Sequence, residues 1–239
     1  MTEFPDNEAG NVALKEARVK GDIVLCLIVR CSHTKNIFAH VVPSKSVEEN
    51  KHIVKLLVDD LRWLAHTRII LKGDNEPSLQ KLLRVAVREL NAHAVEDGLE
   101  QAGQEQPPAY DSQSNGLTEV GVRIVRGLFR TMRACLQRRL SKRIPEGHPI
   151  TAWLLEHCCL LLNALKRGDD GSTPWIRARG RPFGKKLVGF GETVLYRLPK
   201  KGPAFDAQGN MTARWAQGVF LGYARDSNSY IIGTEHEVV

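Results

Sequence analysis

The sequence contains no run near the ~20 consecutive apolar residues that a membrane-spanning helix requires, which excludes a helical membrane protein. Its first residues, MTEFPDNEAG, lack both the basic start and the apolar stretch of a secretory signal. Cysteine is sparse and unpatterned. Cys26, Cys31, Cys135, Cys158 and Cys159 form an odd set, which argues against a disulfide framework and fits a reducing, intracellular setting. Cys26 and Cys31 with His33 have no second, properly spaced pair, so no zinc module is expected. A Walker loop, a dinucleotide fingerprint and a Gly-x-Ser-x-Gly elbow are also missing. One further absence is local: from Val120 to Arg143 there is no acidic residue at all.

What remains is a chain of 239 residues, 42% hydrophobic and 26% charged, with ample apolar material for a buried core. Its net charge of +7 is unevenly spread. Residues 1–118 carry 14 Lys/Arg against 17 Asp/Glu, and residues 119–239 carry 20 against 10, so the second half holds a net +10. Basic charge confined to one half points to a polyanionic partner, or else to a solvated basic face.

Residues 1–21 read as a loosely ordered start. Ile23–Arg30 is a continuous apolar run, typical of a strand buried on both faces, and Ile37–Pro43 completes a hairpin with it. Helical spacing follows over Val47–Leu64, then a short strand over Thr67–Leu71, and a helix from Pro77 to about residue 90. Asn91–Glu96 is expected as a short strand, and 97–114 as a mobile surface loop rich in Gly, Gln and Pro. A long helix is expected over Asn115–Lys142 and another over Pro149–Leu165. Residues 167–189 read as a linker, and 190–239 as a small antiparallel β-unit separable from a core at 22–166. The order predicts an α/β core with a mixed sheet flanked by helices.

Asp74 lies just past the carboxyl end of a strand, where ligands of open α/β sheets usually bind, although position alone favours a cap for the helix starting near Pro77. Glu119 opens the long helix, and Arg123, Arg126, Arg130 and Arg133 follow at offsets of 4, 7, 11 and 14. At ~100° per residue these fall within about 40° of Glu119 around the axis. Ile124, Leu128, Met132 and Leu136 take the other side. One face can therefore pack while the other presents a carboxylate followed by four guanidiniums, whose planar forks suit phosphate. The alternative is a solvated amphipathic helix, but such helices usually mix both signs for pairing. Cys158 and Cys159 on an apolar helix read as core, and His40 and His157 as half-buried.

Lys72-Gly-Asp-Asn-Glu76, the Pro- and Gln-rich loop, and Ser114-Asn-Gly-Leu-Thr-Glu119 opening a basic helix resemble the integrase core of Copia-type retrotransposons. These belong to the retroviral integrase superfamily and have a ribonuclease-H-like fold. In the tail, Gly191-Glu-Thr-Val-Leu-Tyr, Arg214-Trp and Gly218-Val-Phe-Leu-Gly-Tyr resemble the segment after that core. The resemblance implies metal-dependent phosphodiester transesterification, with Asp74 and Glu119 as second and third carboxylates of an Asp, Asp, Glu triad. It implies Mg²⁺ or Mn²⁺ as cofactor. As partners it implies DNA, both the element's cDNA ends and the target duplex, with action in the nucleus and assembly as a homo-oligomer on DNA. No membrane is involved.

Three departures qualify this. The family's first Asp lies on a strand before a hairpin like 23–43, yet none of Glu3, Asp6, Glu8 or Glu16 stands in a strand-like setting, and Asp22 opens the second strand. The expectation is that the first strand and its carboxylate are missing, leaving a chain inactive by itself. Glu76 stands where the family usually has Gly, and 44 residues separate Asp74 from Glu119, more than is usual. Because two ions about 4 Å apart need several hard oxygen ligands, two carboxylates are expected to bind one metal at most. The readings left open are an integrase core, a catalytically dead DNA-binding remnant, and a ribonuclease-H-like nuclease using the same carboxylates.

Overall fold

A computed structural model describes residues 23–44, 51–105, 116–198, 214–225 and 229–239, with Val12, Glu16, Ala17, Val47 and Ser227 as isolated positions. The expected loosely ordered start therefore lies almost wholly outside the described residues. The first apolar run forms β1 (Leu25–Arg30), which pairs antiparallel with β2 (Ile37–Val42) in the register Leu25↔Val42 to Arg30↔Ile37. Lys35 closes the turn at a φ of 65°, and Cys31 accepts its N–H at 3.0 Å. Buried Asn36 anchors that turn by donating to Thr34 Oγ1 at 3.0 Å and to the Pro174 carbonyl at 2.8 Å.

β2 is nearly fully buried. β1 is only half-buried, contrary to the doubly covered strand expected from its apolar run. The cause is lateral: among the described residues β1 has β2 on one edge and no strand on the other.

α1 (Lys51–Leu64) and α2 (Pro77–Ala92) pack their apolar stripes against each other and against β3 (Arg68–Lys72). Leu57, Leu61, Leu71, Leu83 and Leu90 meet in the largest core cluster. A fully buried side chain of this size contributes about 1.5–3 kcal/mol relative to exposure. The strand expected at Asn91–Glu96 is instead the end of α2 and a single turn, α3 (Ala94–Asp97). Gly98 ends it at a φ of 63°, a left-handed conformation that costs glycine little.

The next strand, β4 (Gln101–Glu105), lies in what the sequence presents as a loop, and it pairs parallel with β3. Its residues are polar because only Ala102 needs to be buried. Residues 106–115, the rest of that expected loop, lie outside the described residues.

The single mixed sheet that the sequence predicts is not formed among the described residues. The hairpin and the parallel pair are separate two-stranded sheets, and β1 and β3 share no hydrogen bonds. Their outer edges are closed by asparagines. Asn163 accepts from Ile37 N–H at 2.9 Å and donates to Ile37 C=O at 2.8 Å, sealing β2. Asn91 does the same for Ala102 of β4, both bonds at 3.0 Å.

α4 (Gly116–Leu140) and α5 (Ile150–Leu165) cover the hairpin, with Val125, Leu155 and Cys159 against Ile37 and Ala39. α6 (Pro174–Arg179) lies within the expected linker. It carries clear sequence marks: Thr173 accepts the Ile176 N–H as N-cap, Pro174 fills the first position, and Gly180 ends the helix. β5 (Thr193–Arg197), β6 (Trp215–Tyr223) and β7 (Tyr230–Gly233) form the antiparallel unit expected in the tail. It packs on α5: Phe190 and Leu221 share a cluster with Leu154 and Cys158, and Phe220 packs with Leu160.

A buried polar network also spans the chain. His40 Nε2 lies 2.9 Å from Asp60 Oδ2, and His40 Nδ1 lies 3.2 Å from Glu156 Oε1. Arg225 of the tail pairs with the other Asp60 oxygen. His40 is therefore not the half-buried histidine expected from sequence, and His157 is likewise buried, against Phe190 and Phe220.

Candidate nucleic-acid interface

A cleft of about 1190 Å³ runs between the hairpin and the parallel pair, with the start of α4 along one side. Asp74 lies two residues past the end of β3. The turn there is held by Gln80, which donates to the Gly73 carbonyl at 3.2 Å and the Asp74 carbonyl at 2.7 Å. Gly73 packs closely here: a Cβ would stand 2.9 Å from the Leu79 side chain, which would have to shift. Asp74 is not the cap of α2. That position is Glu76, whose side chain makes no capping bond and accepts from Ser78 Oγ at 2.7 Å. Asp74 is thus an exposed carboxylate on the cleft wall.

Glu119 enters the same cleft from the first turn of α4, followed along that helix by Arg123, Arg126 and Arg130, all exposed. The opposite side of α4 buries Gly121, Val125 and Leu136. Arg126 and Arg130 also line an adjoining cavity of about 600 Å³ on the α5 side. Arg133, the fourth member of the sequence ladder, is turned into structure. It is half-buried, pairs with Glu146 at 3.0 Å and donates to the Ile144 carbonyl at 2.6 Å. It fastens the α4–α5 connection.

The cleft gathers Asp74 and Glu119 at one cavity, but no group of three or more His, Cys, Asp or Glu side chains able to hold a metal occurs among the described residues. Mg²⁺ and Mn²⁺ are hard cations that take about six oxygen ligands, usually with several carboxylates or phosphates in a two-metal site. The described donor set does not fit a resident metal pair.

Two features of the cleft have little signature in the sequence. Arg30 ends β1 and donates from Nη1 to the Leu117 carbonyl, tying the hairpin to the start of α4, while its Nε is buried without a partner. Gly121 makes room for it, since a Cβ there would be 3.0 Å from Arg30 Cδ. An arginine closing an apolar run is the only signal. At the same end, Cys31 Sγ lies 3.3 Å from His66 Nε2, and burial together with the charge of His33 lowers the His66 pKa.

No family model matches the chain, and no curated protein matches it. Several solved structures are similar, two of them as follows. One is the catalytic core domain of BIV integrase, at 16% identity and a TM-score of 0.42, over 65% of this chain and 85% of that one. The other is a chain of the simian T-cell lymphotropic virus intasome in complex with a PP2A regulatory subunit. It matches at 16% identity and a TM-score of 0.45, over 90% of this chain and 68% of that one. The likeness is to retroviral integration proteins. At TM-scores below 0.5 it assigns neither a residue nor an activity, so the site rests on the geometry above.

Proposed function

We propose that the chain is an integrase-core-like module, of the Copia type that its motifs resemble, and that it grips nucleic acid by the phosphate backbone. The fold proposed is ribonuclease-H-like with an opening where a central strand would run. One observation carries the reading: Arg123, Arg126 and Arg130 stand exposed in a row along the cleft that also holds Asp74 and Glu119. Guanidiniums at helical spacing can follow successive phosphates, and their contacts are independent of base sequence. Contact with chromosomal DNA in the nucleus and assembly as a multimer on DNA belong to the same proposal.

Binding is favoured over strand transfer because no group of three or more ligating side chains able to hold a metal gathers among the described residues, and Glu105, the further carboxylate lining the cleft, is paired with Lys72 at 2.7 Å. A ribonuclease-H-like nuclease would draw on the same two groups and meets the same limit.

The test is fluorescence anisotropy with labelled duplexes of unrelated sequence across a salt series. Affinity should vary little with sequence and fall steeply with salt. Removing one arginine–phosphate pairing should flatten the log–log slope by about 0.9. Unchanged affinity and slope after Arg126→Glu with Arg130→Glu would refute the proposal.

A further inference from the structure

The end of α4 runs into Arg138-Arg139-Leu140-Ser141-Lys142-Arg143, which places four basic residues within three positions of one hydroxyl. No other serine or threonine of the chain has more than two so close. All six residues are exposed, Leu140 included at 47%. The segment is pinned on either side. Leu136 and Ile144 are buried in one apolar cluster, and Gln137 Oε1 accepts the Ile144 N–H at 2.7 Å.

Ser141 has already left the helix. Its φ is 52°, a left-handed conformation uncommon for a residue with a Cβ. Two backbone hydrogen bonds close the turn, from Ser141 N–H to the Arg138 carbonyl and from Lys142 N–H to the Gln137 carbonyl, both at 3.2 Å. Drawing 138–143 out straight gives up these bonds and the last turn of α4 to water. It uncovers little apolar surface, because every side chain involved is already exposed, and it frees Ser141 from its unfavourable φ. Thr131 is the contrast. It too is set between arginines, Arg130 and Arg133, but it lies inside α4 and donates its hydroxyl to the Gly127 carbonyl at 3.2 Å.

We propose that Ser141 is a phosphorylation site for an arginine-directed serine kinase, one whose substrate groove is lined with carboxylates. Arg138 and Arg139, three and two residues before the hydroxyl, are the groups such a groove holds, because a guanidinium gives a carboxylate two hydrogen bonds at once. Ser141 Oγ attacks the γ-phosphorus of MgATP, the bond from that phosphorus to the β,γ-bridging oxygen breaks, and ADP leaves. The hydroxyl proton passes to a carboxylate of the kinase.

Phosphoserine carries about −1.5 to −2, so the charge of 138–143 falls from +4 to about +2. A helix C-terminus ordinarily repels phosphate, but that end is worth only about half an elementary negative charge, and four whole positive charges flank Ser141. The cleft is not involved. Ser141 lies eleven residues beyond Arg130, roughly 16 Å along the axis at ~1.5 Å per residue, against a Debye length of ~8 Å at physiological salt. The site therefore stands whether or not the cleft grips nucleic acid.

The experiment treats the folded, whole chain with MgATP and the catalytic subunit of cAMP-dependent protein kinase, an arginine-directed enzyme. Intact mass should show one phosphoryl group per chain, and peptide mapping should place it on Ser141. Ser141→Ala should abolish labelling with an unchanged thermal melt. Arg138→Ala should lower kcat/KM for labelling at least about tenfold, as expected for one lost charge-assisted pairing, and Arg138→Lys should restore part of it.

Any of four results would overturn the proposal. These are no labelling of the native chain, labelling only after urea has unfolded it, phosphate elsewhere with Ser141 unmodified, and an Arg138→Ala variant labelled as fast as the native chain.

Discussion

Arg225, near the carboxyl end of the chain, pairs with the carboxylate of Asp60, a residue of α1 that is 0% exposed and holds His40 with its other oxygen. The pair spans 165 residues of sequence and ties the terminal β-unit to the helix under the cleft. Removing one member of a buried ion pair leaves the other charge desolvated and alone, which costs about 3–5 kcal/mol. Asp60→Ala should therefore lower the urea midpoint strongly. Far-ultraviolet circular dichroism and tail tryptophan fluorescence should report one shared transition. Two separated transitions in the native chain would show that the β-unit folds independently.

The two buried histidines give stability a dependence on pH with opposite signs. Burial alone would lower the His40 pKa, but its hydrogen bonds to Asp60 and Glu156, and their charges, raise it to about 9. Its contribution is then complete below about pH 6.5, the unfolded value, and is lost as pH rises through about 9. Burial lowers the His157 pKa to about 4, so the folded state resists its protonation, and stability falls as pH drops from about 6.5 toward 4. Denaturation measured from pH 4 to 9 should show a maximum near pH 6.5. His157→Phe should flatten the acid limb and His40→Gln the alkaline limb.

Arg133 separates stability from binding within the sequence ladder. Arg133→Ala removes the bonds to Glu146 and to the Ile144 carbonyl, and should cost about 1–2 kcal/mol of stability with little change in the salt slope of DNA binding. Arg126→Ala should do the reverse, flattening the slope by about 0.9 at nearly unchanged stability. Equal effects on both properties from both variants would dissolve the distinction.

Asp74 and Glu119 should oppose backbone binding in the absence of divalent metal, because both place negative charge on the cleft that the arginines line. Asp74→Asn with Glu119→Gln should tighten duplex binding about threefold at low salt, consistent with exposed charges acting across water. A loss of affinity in metal-free buffer would mean that these carboxylates position the arginines instead.

Much of the scaffold is legible in the sequence. Apolar runs locate the hairpin and the tail strands, and periodicity locates α1, α2, α4 and α5, because each helix's apolar stripe is the face it buries. β4 is illegible for the complementary reason: its sequence, QAGQE, has no pattern to read, and its position comes from pairing with β3 and from the side chain of Asn91. α6 is marked by Thr173, Pro174 and Gly180, but at six residues it is too short for a period to stand out. Helical spacing puts Glu119, Arg123, Arg126 and Arg130 on one face, and all four line the cleft. It cannot show that Arg133 is engaged elsewhere, since that depends on a carbonyl at Ile144. The division of the sheet is equally invisible, because β1 reads as an interior strand whether or not a neighbour is present.

Cys158 and Cys159 stand side by side at the centre of α5, and burial pushes the Cys158 thiol up to about 12 and the Cys159 thiol well above its usual value. Thiolate is the reactive form, so both should resist alkylation at neutral pH while the helix stays packed. The pair is a clock set into the interior. Its labelling rate counts how often the helix between the hairpin and the tail comes loose, and any ligand that steadies those layers will slow it.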